Sequence, residues 1–204
     1  LGSSGGTANK PANVLISGTI DIDLNGGTVV GNVIGMYEAL VTNKSSTSPK
    51  HKVEATGLID ICVNGATVSK DTLLVYSTGH SVDNGELIMD GTVNFEYLSG
   101  TIQGVSGAKV SPTTLDAKDN WVDSESKVST IQINGNMNIK MNAVGQSHSK
   151  LVKGLDNYVT VNNGGKVNVE LAGGSAKNIY AVYGESTLNS GSRTLHANQS
   201  EYRI

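Results

Sequence analysis

Arginine is nearly missing from this chain. Arg193 and Arg203 are the only two, and the net charge at pH 7 is −3. A protein that neutralises phosphates needs a basic stripe, so nucleic acid is excluded as a partner. Cysteine is reduced to Cys62, which rules out an internal disulfide. That usage fits a cytosolic protein, or a bacterial surface protein that avoids cysteine. Aromatics make up only 4% of the residues and proline occurs three times, so the large anchors of a β-sandwich are lacking. No apolar run approaches the roughly 20 residues of a membrane span, so the chain is not itself membrane-spanning. No signal-peptide pattern is found, so a secreted protein would be seen here in mature or excised form. The four histidines, His51, His80, His148 and His196, show no metal-ligand spacing. No phosphate-cradling glycine loop occurs either, and neither cofactor nor metal is expected.

What the chain does have is glycine, set in alternating runs. In "STIQINGNMNIKM", Asn134-Gly135 stands between two such runs, the usual signature of a two-residue hairpin. Parity argues otherwise, because side chains alternate faces along a strand. Ile131, Ile133, Met137, Ile139 and Met141 share one parity, whereas a hairpin would set Ile133 against Asn136 and Ile131 against Asn138. A bend without reversal keeps one face apolar and puts Gly135 at an inward position. Glycine is selected there by lack of room or by positive φ.

The pattern recurs. "ANVLISGTIDIDLN", "HKVEATGLIDICVN", "GELIMDGTVNFEYL" and "YVTVNNGGKVNVEL" keep the same parity across Gly18, Gly57, Gly91 and Gly165. With Gly135 the spacings are 39, 34, 44 and 30 residues, a fixed pattern with variable loops. One more strand-like run follows each bend: "NVIGMY", "DTLLVY", "GTIQGV" from Gly100, "KLVKGL" and "KNIYAVY". Inserts such as 42–51 and 106–127 fall between runs. Three short strands per unit, stacked about 4.8 Å apart, describe an all-β parallel β-helix (β-solenoid) of three strands per coil and about five coils. One unit alone does not bury enough apolar surface to offset its chain entropy, and stacking supplies the rest. Residues 1–10 read as a flexible N-terminal lead and 11–204 as a single domain, irregular from about 186. An open solenoid leaves unpaired edges at both ends. With no capping helix evident, flanking coils of a longer chain are expected, the alternative being a cap built from residues 1–12 or 186–204.

Few residues suggest chemistry. The match to G-x-S-x-G at Gly2, Ser4 and Gly6 lacks the strand and helix a nucleophile elbow requires. His80, Ser81 and Asp83 are neighbours in one loop, unlike a triad assembled by a fold. Cys62 falls in outward parity, as a reactive thiol or as a residue tucked under a loop. Asp21 and Asp23 point outward, and Asp60 is the register equivalent of Asp21. They suit either a calcium or catalytic carboxylate site, as in β-helical polysaccharide lyases and hydrolases, or a solvated acidic face. Asn94, Asn138 and Asn168 continue that position as a polar ladder. Asn25, Asn64 and Asn142 form another, whose stacked amides hydrogen-bond along the axis. Tyr37, Tyr76 and Tyr183 end the second strand in three units, as an aromatic strip for sugars or a partner protein if outward, or as packing if not.

The units "SGTIDIDLN" and "NGGKVNVEL", followed by "IGMYE", "LLVYS" and "IYAVYG", resemble the passenger domains of bacterial autotransporters, and are most similar to large surface adhesins of fusobacteria and related anaerobes. The resemblance covers about residues 11–190. It implies a right-handed β-helical stalk, exported to the outer-membrane surface, with loops that contact glycans or proteins of host cells or other bacteria. Cell adhesion and a part in virulence follow from it, and no catalytic residue does. The enzymatic alternative, a lyase or hydrolase on the same fold, would use Asp21, Asp23 and Asp60.

Overall fold

The computed structural model describes residues 2–3, 13–38, 52–77, 86–111, 113–115, 121–123, 131–156, 159–161, 164–183, 187–188 and 192–197. They form an all-β fold of parallel strands in a nearly closed, barrel-like sheet, with no helix among the described residues. A six-stranded sheet runs Asn13–Ile16, Lys52–Ala55, Glu86–Met89, Ile131–Ile133, Val159–Val161 and Thr187–Leu188 in sequence order, every pair parallel. Beyond the bend, Thr19–Asn25, Leu58–Val68, Thr92–Thr101, Asn136–Asp156, Lys166–Tyr183 and Ser192–Ala197 pair in the same order and sense. A further parallel series joins Val33–Glu38, Asp71–Ser77, Gly104–Val110 and the later halves of the two longest strands.

Asn134-Gly135 is therefore a bend. Ile131–Ile133 pairs with residues on Glu86–Met89 and Val159–Val161, whereas Asn136–Met141 pairs with Thr92–Tyr97 and Lys166–Leu171. Of the two expected reasons for glycine, lack of room holds and positive φ does not, and the room is taken by the neighbouring row rather than on the inward face. The Gly57, Gly91 and Gly135 backbones lie outside the positive-φ region. A Cβ on Gly57 would strike the carbonyl oxygen of Gly18, one on Gly91 that of Gly57, and one on Gly135 that of Gly91. Those carbonyls are fixed because each accepts a hydrogen bond from the next row: Leu58 N–H to Gly18 at 3.2 Å, Thr92 N–H to Gly57 at 3.0 Å, Asn136 N–H to Gly91 at 2.9 Å. Just before the bend, one carbonyl takes two successive donors, as Ala55 does from Asp90 N–H at 2.8 Å and Gly91 N–H at 2.9 Å. These bonds satisfy the backbone through a corner, where polar groups are otherwise costly to bury.

The apolar parity is the core. Val53, Ile61, Val63, Leu87, Met89, Val93, Met137, Met141, Val167 and Val169 are fully buried. Phe95 and Tyr97 are the largest of the inward side chains, and the Tyr97 hydroxyl donates to the Gly100 carbonyl at 2.6 Å. Gly100 itself has φ 104, a conformation that favours glycine, and no room for a Cβ against Ala66. Thr72 is an exception: its hydroxyl lies in the core without a hydrogen-bond partner.

Four expectations need correction. The third unit's paired strand is Gly104–Val110, not the run from Gly100, because Gly100 and Thr101 still pair with Ala66 and Thr67. Residues 106–110, assigned to an insert, therefore belong to that strand. Gly2 and Ser3, assigned to a flexible lead, pair in parallel with Tyr37 and Glu38. Finally, Thr187–Leu188 and Ser192–Ala197 continue both series as a sixth row, which the sequence hid because Arg193 takes the register position of Val167. Among the described residues, Thr113–Leu115 with Trp121–Asp123 is the antiparallel pair. His51, His80, Ser81, Asp83, Ser4 and the insert 42–51 lie outside the described residues.

Candidate binding surface

Outward positions of the strands after the bend stack into two columns. The first runs Asp21, Asp60, Asn94, Asn138, Asn168, as the spacing predicted. Its amide half is a hydrogen-bonded ladder: Asn138 Nδ2 donates to Asn94 Oδ1 at 2.9 Å, and Asn168 Nδ2 to Asn138 Oδ1 at 2.8 Å. An amide carries both donor and acceptor, so it can repeat along the column where a carboxylate cannot. The second column runs Asp23, Cys62, Glu96, Lys140, Glu170, and Lys140 Nζ lies 3.3 Å from Glu96 Oε1.

Asp21, Asp23, Asp60 and Glu96 thus meet on one face. Burial, then the Asp21, Asp23 and Glu96 charges, push the Asp60 carboxyl above its ordinary range. Cys62 sits between Asp23 and Glu96, half-buried, and burial followed by the same carboxylates raises its thiol. A thiol so placed is a poor nucleophile at neutral pH. Among the described residues, no group of three or more His, Cys, Asp and Glu is arranged to hold a metal ion. The Asn25 ladder is real but shorter than predicted. Asn64 Nδ2 reaches Asn25 Oδ1 at 3.5 Å and Ser99 Oγ donates to Asn64 at 3.0 Å, whereas Asn142 turns to Glu96 at 3.2 Å.

The tyrosines do share a register column, but it reads Tyr37, Tyr76, Lys109, Asp156, Tyr183. Tyr37 and Tyr76 stack with centroids 5.4 Å apart and planes 9° apart. Tyr183 is cut off from them. It packs edge-on against Tyr180 at 5.1 Å and under Lys153 Nζ, 3.8 Å from its ring centre. The tyrosines thus form an aromatic pair at one end of the column and a cation–π contact at the other.

Between them lies a cluster the sequence pattern did not reveal. Asp156 is 2% exposed, with Lys153 Nζ at 2.9 Å, Ser106 Oγ at 3.3 Å and Lys109 Nζ at 4.0 Å. Two positions three apart on a flat strand face opposite ways. Here the chain bends. A Cβ on Gly154 would face the inward Val167 and Val169 side chains, and the next residue, Leu155, is also in the core. Two consecutive inward positions return Lys153 and Asp156 to one outer face. The carboxylate's desolvation is offset by its paired lysine and hydroxyl.

Comparison of the chain with protein-family models, with curated proteins and with solved structures finds no match. No helix among the described residues is long and apolar enough to cross a membrane.

Proposed function

We propose that this chain is a right-handed parallel β-helix, three strands per coil over about five coils, serving as the structural and adhesive segment of an exported bacterial surface protein. The observation that carries the proposal is the register. Asp21, Asp60, Asn94, Asn138 and Asn168 fall in one unbroken parallel column although the intervening chain varies in length. Strand–crossover–parallel-strand connections are right-handed in almost all proteins, which supports the hand. A stack of this kind makes a stiff, extended surface on which outward side chains repeat at strand spacing. The Tyr37–Tyr76 pair and the acidic columns are the features on it best suited to bind a glycan or protein of a host or bacterial surface. Catalysis has no part in this reading. Localisation at the outer-membrane surface rests on the resemblance of the repeats alone.

Glycan-array and cell-binding measurements on the chain test it. Saturable binding that falls at least about tenfold, or about 1.4 kcal/mol, in Tyr37→Ala/Tyr76→Ala supports adhesion. The raised Asp60 carboxyl beside Asp21 and Asp23 favours one rival, a polysaccharide lyase or hydrolase. Calcium-dependent glycan turnover abolished by Asp21→Ala would establish that rival and end the adhesin reading.

A further inference from the structure

The parallel series that starts at Val33–Glu38 presents two side-chain columns on one outer face. A Cβ on Gly35 would face Ile59 and Ile61, and one on Gly107 would face Met137 and Ile139, as one on Gly154 faces Val167 and Val169. Met36, Ala108 and Leu155, which follow those glycines, are in the core, and so are Leu74 and Val75 of the second row. Two consecutive inward positions thus occur in each of the first four rows, and positions three apart return to the same outer side. In register, that side sets Ile34 with Tyr37, Leu73 with Tyr76, Ser106 with Lys109, Lys153 with Asp156 and Tyr180 with Tyr183. Charge is unbalanced next to the stacked tyrosines. Asp156 Oδ2 takes Lys153 Nζ at 2.9 Å and Ser106 Oγ at 3.3 Å, whereas Lys109 Nζ stands 4.0 Å from the same oxygen, beyond hydrogen-bond distance. Two ammoniums meet one carboxylate, so one positive charge is left over in a chain that is acidic as a whole. Lys153 is the neutralised one, bonded to Asp156 and set over the Tyr183 ring. Lys109 is 29% exposed and lies one row, about 4.8 Å, from Tyr76. The buried carboxylate draws its ammonium to the face without bonding it, which leaves donors to spare among the described residues.

We infer that Tyr37, Tyr76 and Lys109 form a subsite for an acidic sugar, one that bears a carboxylate or a sulfate. Its apolar C–H face packs on the tyrosine pair, and its acid group accepts a hydrogen bond from Lys109 Nζ. The inference deepens the adhesive reading and rests on it for the class of partner. Half-buried tyrosines offer a broad apolar surface with a polar edge. A hydrogen bond from an ammonium to an anion is about twice as strong as one between neutral groups, so the acid decides the preference. A neutral sugar would leave the Lys109 charge unanswered. Attraction to Asp156 also limits the freedom of the lysine before any ligand arrives, which reduces what ordering costs on binding. An acidic peptide or phosphopeptide is the poorer occupant. Such ligands are held by clusters of arginine, and Arg193 and Arg203 both lie beyond these strands in sequence.

An array of oligosaccharides bearing uronate, sialate or sulfate, each beside its neutral parent, reads the preference of the whole chain directly. Acidic members should bind at least about tenfold tighter than their parents, and the preference should shrink as salt is added. Lys109→Met keeps the aliphatic stem and removes the charge. It should weaken binding of the acidic members at least about tenfold and leave that of the neutral parents unchanged. Lys109→Arg should keep the preference, and Lys166→Met, which removes an exposed lysine from the strands after the bend, should not alter it. The three arms of the array then name the acid. Equal binding of acids and parents by wild type, or an undiminished preference in Lys109→Met, overturns the acidic-sugar subsite while adhesion through Tyr37 and Tyr76 stands. Binding of a polyglutamate peptide but of no glycan, lost in Lys109→Met, would assign the face to an acidic protein and overturn the choice of sugar. Failure to bind any of these probes removes the adhesive reading as well.

Discussion

A methyl group at Gly91 would meet the carbonyl oxygen of Gly57, and one at Gly18 would meet nothing within 4 Å. The obstacle at Gly91 is backbone held by a hydrogen bond to Thr92, so it cannot rotate away as a side chain would. Gly91→Ala is expected to cost about 1–3 kcal/mol in urea unfolding, and Gly18→Ala to be neutral by the same measurement. Thr72 offers the opposite change. Its buried hydroxyl lacks a partner, so the near-isosteric Thr72→Val removes a desolvated polar group and should raise stability by about 1 kcal/mol. For Asp60 the sign depends on pH. Its raised carboxyl means the folded chain holds that proton more tightly than the unfolded chain does. Its contribution is then fully present below the ordinary carboxylate pKa and is lost as pH rises through the raised folded value. Asp60→Asn should therefore be more stable than wild type at pH 7, by less than about 1 kcal/mol after solvent screening. The two proteins should converge near pH 3.

Strands in this chain are joined by side-chain ladders as well as backbone. Asn138 is the middle of one, donating to Asn94 and accepting from Asn168. Asn138→Ala removes both bonds and leaves two half-buried amides short of a partner, a loss of about 1–2 kcal/mol readable in the urea midpoint. The column itself was legible beforehand, because outward parity and the spacing of the bend glycines are properties of local sequence. So was the apolar face, from Val53 through Leu171. Contacts between the strand after the bend and the one beyond the second corner were not. The Gly104–Val110 strand was displaced because Gly100 looked like a strand start, whereas it has positive φ within the preceding strand, which runs on through Thr101. Asp156 was missed for a related reason: a Lys-x-x-Asp spacing has no meaning on a flat strand and gains one only where Gly154 and Leu155 both turn inward. Tyr183 kept its column, with Lys109 and Asp156 separating it from the other tyrosines, as the absence of tyrosine from the third and fourth runs implied.

At the scale of the whole molecule, everything depends on rows of successive repeats lying parallel and in register. The buried column Ile59, Val93, Met137, Val167 runs through four of them, and the polar columns outside follow the same order. The proposed adhesion along an extended surface requires it. Residue 138 tests the arrangement most directly, because bend and hairpin give it different neighbours. In an isotope-edited nuclear Overhauser measurement, the backbone of Asn138 should show contacts to the strands of Asn94 and Asn168 and none to Ile131. Contacts between Asn138 and Ile131, the pairing of a chain that doubles back at Asn134-Gly135, would contradict the account.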